Sequence, residues 1–199
     1  MASKVDICNR ALVILGADTI MELGEDSEEA RKCNVLYDEA RQTVIRDYPW
    51  NACTKQATLA LLVDEPVFNW QYAYQLPTDC LRVITTEGEK DHAIQGRRLL
   101  SNESDVAIQY IADIEDPQQY DGMLREALSS YLAYSLAYAV TESSSRAEAL
   151  YQKYLNTLSR ARGVDSQEGT PPLQRPTRWV RAHSRGFSTI DSRGFVVPE

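Results

Sequence analysis

Histidine is almost missing from this chain, with only His92 and His183 present. The four cysteines, Cys8, Cys33, Cys53 and Cys80, are widely separated and form no Cys-x-x-Cys pair. Together these absences remove the usual zinc spacings and predict buried free thiols in a reducing compartment. Gly-x-Gly-x-x-Gly, Gly-x-x-x-x-Gly-Lys-Ser/Thr and His-Glu-x-x-His are also lacking, so nucleotide-binding and metal-hydrolase readings have no support. No cofactor or metal is expected. The longest uncharged run of the body, Ala127 to Thr141, is fifteen residues with three serines. At 1.5 Å per residue that falls short of a bilayer core of roughly 30 Å. No leader is expected either, because Met1-Ala2-Ser3-Lys4 opens directly onto an amphipathic helix.

Positive charge is scarce in the body as well. Residues 1–163 hold sixteen Lys and Arg against twenty-five Asp and Glu, a net of −9, while residues 164–199 carry +1. Phosphate binding needs a positive field over the contact face, so a general nucleic-acid binder is disfavoured. A hydrophobic content of 43% over 199 residues nevertheless suffices for one folded domain with a smaller subdomain.

Periodicity supplies the layout. Ser3, with Asp6 three residues on, opens a helix whose stripe is Val5, Cys8, Ala11, Leu12 and Leu15, and Gly16 stops it. A loop to Gly24 offers Ile20, Met21 and Leu23 for packing. Asp26 or Ser27 caps a second helix with Ala30, Cys33, Leu36, Tyr37, Ala40 and Val44 inward, ending before Pro49. The period then shortens to that of strands. The runs are Thr54–Leu62, Asn69–Leu76, Cys80–Thr86 and Asp105–Ile111, with a hairpin around Gly96-Arg97. Turns fall at Asp64-Glu65-Pro66, Pro77-Thr78-Asp79 and Glu87-Gly88. Helical spacing returns with Leu124, Ala127, Leu128, Tyr131, Leu132, Ser135, Leu136 and Ala139, in a helix apolar on nearly all sides and buried by its own domain or by other subunits. A fourth helix begins near Ser143–Ser145, faces Ala147, Leu150, Tyr151, Tyr154, Leu155 and Leu158 inward, and stops at Gly163. The expected fold is therefore α+β, mainly α. Residues 1–50 and 113–163 form a four-helix body, residues 51–112 an inserted antiparallel β subdomain, and residues 164–199 an extended C-terminal arm.

The arm carries no core-building period, yet it is rich in anchors. Trp179, Phe187 and Phe195 are interleaved with Arg175, Arg178, Arg181, Arg185 and Arg193, and Ser-Arg-Gly-Phe occurs twice, at 184–187 and 192–195. Trp and Arg dominate interface hot spots, so these eight residues are the candidate partner-binding set. The arm is expected to order only on meeting a partner, such as an acidic protein surface or a neighbouring copy.

Chemistry has few footholds. Glu22, Glu25, Asp26, Glu28 and Glu29 crowd together, as do Asp113, Glu115 and Asp116. Paired carboxylates can serve a glycosidase, but acids at helix starts are ordinary dipole partners. Cys80 with His92 lacks a third positioned group, and a core cysteine fits better. Tyr131, Tyr134, Tyr138, Tyr151 and Tyr154 at helical spacing suit a mixture of core and subunit interface.

One set of residues carries a family likeness. Ile7-Cys8-Asn9-Arg10-Ala11-Leu12, Leu15-Gly16, Glu28-Glu29-Ala30-Arg31-Lys32-Cys33-Asn34, Tyr37-Asp38-Glu39-Ala40-Arg41 and Tyr48-Pro49-Trp50-Asn51 resemble the head-to-tail adaptors of short-tailed bacteriophages, also called tail tubular protein A or head-completion proteins. The likeness covers roughly residues 4–60, and the order of elements to residue 163 also fits. It implies a non-enzymatic structural protein of the virion neck, assembled in the host cytoplasm as a homo-oligomeric, twelvefold ring. The arm would reach the portal protein and the sheets would face the tail nozzle protein. DNA would pass without specific binding, and no membrane is involved. Two alternatives stay open at this point: a virion-associated cell-wall glycosidase, and a tail, nozzle or connector subunit elsewhere in the particle.

Overall fold

Ser3 starts the first helix as the sequence implies. In the computed structural model, which describes residues 3–141 and 144–168, its hydroxyl accepts the Asp6 N–H while Asp6 accepts the Ser3 N–H. This reciprocal cap satisfies two donors that a helix start leaves orphaned. Helix α1 runs Lys4–Leu15 and ends at Gly16, whose φ of 71° lets its N–H reach back to the Leu12 and Val13 carbonyls. A side chain would be strained there. Asn9 then latches the following loop in both directions, donating to the Ile20 carbonyl and accepting the Ile20 N–H, each at 2.8 Å. Ile20 is buried, but Met21 stands in solvent at 91% exposure, which corrects the expectation that Met21 packs.

Ser27, rather than Asp26, caps helix α2 (Glu28–Asp47) by accepting the Ala30 N–H at 3.2 Å. Its buried face is Ala30, Cys33, Tyr37, Ala40, Arg41, Val44 and Ile45. Helices α3 (Gly122–Thr141) and α4 (Ser144–Glu168) complete the helical set. Along α3 the side chains of Leu124, Ala127, Leu128, Leu132, Ala133, Leu136 and Ala137 are buried, so the subunit itself covers most of this all-round apolar helix. Ala139 and Leu155, both expected inward, are exposed. Two long side chains tie the helix ends together. Lys32 donates to the Ala139 carbonyl at 2.9 Å and Arg146 to that of Leu15 at 2.9 Å. Each places a cation at the negative end of a helix dipole.

Helix α4 does not stop at Gly163; it continues to Glu168. Gly163 lacks the positive φ that makes Gly16 a cap, and an interior glycine costs a helix only about 1 kcal/mol. Packing of Leu158 and Ala161, just upstream, offsets so small a cost.

The strand region forms two antiparallel sheets, where one was expected. Strands are β1 (Thr54–Thr58), β2 (Ala60–Leu61), β3 (Tyr72–Gln75), β4 (Cys80–Thr86), β5 (His92–Gln95), β6 (Arg98–Ser101) and β7 (Ala107–Ala112). One sheet has the order β1-β7-β4 and the other β2-β3-β6-β5. The division arises at Leu59. The run read as a single strand pairs with β7 as far as Thr58 opposite Ala107, then changes partner so that Ala60 faces Gln75. Leu59 itself is buried and its N–H bonds the Val106 carbonyl at 2.9 Å. The hairpin at Gly96-Arg97 is as expected, with Gly96 at φ 61°. A single apolar cluster joins Cys53, Ile108 and Ile111 of the three-stranded sheet region to Ile7, Leu12, Val44 and Leu128 of the helices.

Candidate interaction surface

Five of the eight acids in the two clusters, Glu25, Asp26, Glu28, Asp113 and Asp116, make structural ties. Glu25 accepts the Met21 N–H at 2.7 Å and the Ser27 hydroxyl at 2.6 Å, and these bonds, the hydroxyl's first, hold its carboxyl below the usual range. Asp26 pairs with Arg31, and Glu28 with Lys32. Asp113 takes the guanidinium of Arg41, a side chain only 3% exposed, together with the Gln42 amide at 2.9 Å. Arg41 also donates to the Ile114 carbonyl at 3.2 Å. Burial, the largest single influence, opposes this charge, yet the bond and the negative charge of Asp113, with smaller help from Tyr120 and Asp38, together outweigh it and Arg41 is held more firmly protonated than usual. Asp116 caps a 3-10 turn by accepting the Gln118 N–H. The buried arginine was overlooked from sequence, although Tyr37, Arg41 and Val44 share one helical stripe.

The thiols are buried or half-buried and free. Burial raises Cys53 to about 12, and Cys8 is raised by its hydrogen bond to Cys33 and by burial. Such groups carry little thiolate near neutrality. Cys80 lies on β4 and His92 on β5, in different sheets, and the His92 Nδ1 instead sits 3.0 Å from the Lys90 carbonyl. Among the described residues no cluster of His, Cys, Asp and Glu is arranged to hold a metal ion. Nor is any helix among them long and apolar enough to cross a membrane.

The tyrosines range from buried to exposed. Tyr154 is buried and donates to Asp47 at 2.7 Å. Tyr131 packs on Tyr134 and Tyr154 with ring centres 5.7 and 5.0 Å apart, and Tyr151 lies 5.1 Å from Tyr134. Only Tyr138, at 69% exposure, points an aromatic ring outward from this seam.

Apolar exposure concentrates on the four-stranded sheet. The loop from β2 to β3 holds Val63, Val67 and Phe68 at 98%, 88% and 79% exposure, and Leu61 and Ile94 are half-exposed nearby. The loop and strand β5 line a groove of about 620 Å³ floored by Ala73 and Leu100. Its rim carries Asp64, Glu65 and Arg98, and Arg98 pairs with Asp64 at 3.6 Å. Sequence reading passed over this surface because Asp64-Glu65-Pro66 marked only a turn. The signal was available: Val63, Val67 and Phe68 flank that turn with no strand period to bury them. The arm residues Arg175, Arg178, Trp179, Arg181, Arg185, Phe187, Arg193 and Phe195 lie outside the described residues.

No protein-family model matches the chain, and no curated protein matches it. The residues of the adaptor-like signature can still be placed. Ile7, Cys8, Ala11, Leu12, Cys33, Tyr37, Ala40, Arg41 and Trp50 are all buried, on α1, on α2 and just before β1, and the apolar ones belong to the single core cluster. Asn9 makes the loop latch. Their common work is packing.

Proposed function

We propose that the protein is a structural head-to-tail adaptor of a short-tailed phage, one subunit of a ring beneath the portal. The ring joins capsid to tail nozzle and lets DNA pass. The observation that carries this reading is the pairing of two adhesive stretches with an acidic, densely packed body. One is the apolar surface of the four-stranded sheet; the other is the arginine- and aromatic-rich C-terminal segment. A connector needs a surface for each neighbour, and contacts rich in apolar anchors and arginine meet that need. The net charge of −9 over residues 1–163 suits a conduit that must release DNA, since it supplies few cations for phosphates. The signature residues support the reading through the packing they share, and the order of helices and strands supports it further.

The test is truncation after Glu168, chosen because α4 runs to that residue. The shortened protein is expected to keep its helical circular dichroism and its unfolding midpoint while losing capture by purified portal rings. Undiminished portal capture by the truncated protein would overturn the assignment of the C-terminal segment.

A further inference from the structure

Strand β5 is the outermost strand of its sheet, so one edge of His92–Gln95 has no strand partner among the described residues. Sheet edges of this kind accept an added strand, with main-chain hydrogen bonds giving affinity and side-chain pockets giving selectivity. Beside this edge lies the groove of Val67, Phe68, Ala73, Ile94 and Leu100. Its rim acid Glu65 is exposed and, unlike Asp64, has no ion-pair partner among the described residues. An apolar groove, an open strand edge and a free carboxylate together specify the ligand: an extended segment with a large aromatic, β-branched neighbours and a cation.

The chain encodes such a segment. Arg193-Gly194-Phe195-Val196-Val197 places an arginine two residues before a phenylalanine, continues with two valines, and stops at Pro198. Valine and phenylalanine favour extended pairing, and proline cannot donate to a ladder. Twenty-four residues lie between Glu168 and Arg193, a reach of up to roughly 85 Å in extended chain.

We infer that this groove and the β5 edge receive residues 193–197 of a second copy, with Phe195 in the groove, the valines paired along β5 and Arg193 on Glu65. The inference rests on the ring reading above. A segment from one copy entering a groove on the next is a head-to-tail contact, the class that closes into rings. It divides the work of the C-terminal segment: Trp179 and its arginines serve the portal, and the last residues serve the neighbour. A five-residue strand is a small contact, weak singly and cumulative around a closed ring.

A fluorescein-labelled peptide of residues 190–199 is titrated into the full-length protein and followed by anisotropy. Saturable binding is expected. Phe68→Ser should weaken it roughly tenfold or more, as loss of a hot spot does. Glu65→Lys should weaken it too, and a peptide carrying Val196→Pro should not bind. Because Phe68 is 79% exposed, Phe68→Ser is expected to fold as wild type, which circular dichroism checks. No binding, or binding indifferent to Phe68→Ser, overturns the proposal. Mixing a tagged Phe68→Cys chain with an untagged Phe195→Cys chain should give a mixed disulfide dimer under oxidation. If the double variant Phe68→Cys/Phe195→Cys instead closes within single chains, the second-copy assignment is overturned. Portal capture is measured separately. If wild-type protein ignores portal rings while still binding the peptide as described, the ring reading fails and this contact stands.

Discussion

The helices and the four-stranded sheet treat apolar residues in opposite ways. In the helices, Val13, Val35, Tyr138 and Leu155 reach solvent as scattered exceptions around a core holding Trp50, Tyr37, Leu124 and Leu128. On the sheet, Val67, Phe68 and Ile94 are gathered around one groove. Scattered exposure is normal for a folded protein; gathered exposure marks a surface awaiting contact. The first region therefore explains why the chain folds, and the second is where the contact proposed above would form.

The sharpest way to break this contrast is a matched pair of truncations. Trp50 is fully buried and its indole donates to the Val44 carbonyl at 2.9 Å. Trp50→Ala is expected to cost about 3–5 kcal/mol in denaturant unfolding. Phe68→Ala, at the groove, should stay within about 0.5 kcal/mol of wild type. Equal losses at the two sites would erase the distinction.

A smaller loss is expected where the helices meet the three-stranded sheet. Asp113→Ala leaves the buried Arg41 charge without its main partner and should destabilise by about 3 kcal/mol. The double change Arg41→Met with Asp113→Leu should recover much of that loss, because paired burial of charge contributes little net stability. A double variant as weak as Asp113→Ala would show that the arginine matters beyond its charge.

The smallest effect belongs to Asp79, which accepts from Lys55 at 2.9 Å and from Tyr110 at 3.2 Å. Burial is the largest single influence and works against its charge, but the Lys55 bond and charge together with the Tyr110 bond prevail, and its carboxyl is held below the usual range. A depressed carboxylate stabilises the fold above the unfolded value of about 3.9 and loses that contribution as pH falls through the folded value. The stability gap between wild type and Asp79→Asn should thus be present at neutral pH and close in acid. A gap that persists to the acid end of a pH titration would remove Asp79 from the account.

Much of the fold was legible because its signals were local. The Ser3 and Asp6 cap, the Gly16 stop and the span of β4 need only neighbouring residues, and all three stand as read. What escaped depended on distant partners. Gly163 reads as a stop by composition, yet only a positive φ, as at Gly16, makes one. The change of sheet at Leu59 is invisible in a run whose period does not alter, because the choice of partner strand is tertiary. Arg41 was hidden for the same reason, since its acid lies 72 residues away. Of the interaction surface, the sequence held the apolar residues of the loop from β2 to β3 in plain sight. Only folding brings Ile94 and Leu100 beside them.

The junction at Leu59 has a mechanical consequence. A single extended run serves both sheets in turn, and its inner end leads directly to Cys53 and Trp50. Load applied to the four-stranded sheet is therefore carried along a covalent chain to the fully buried Cys53 and Trp50. A tug on the rim becomes tension at the hub.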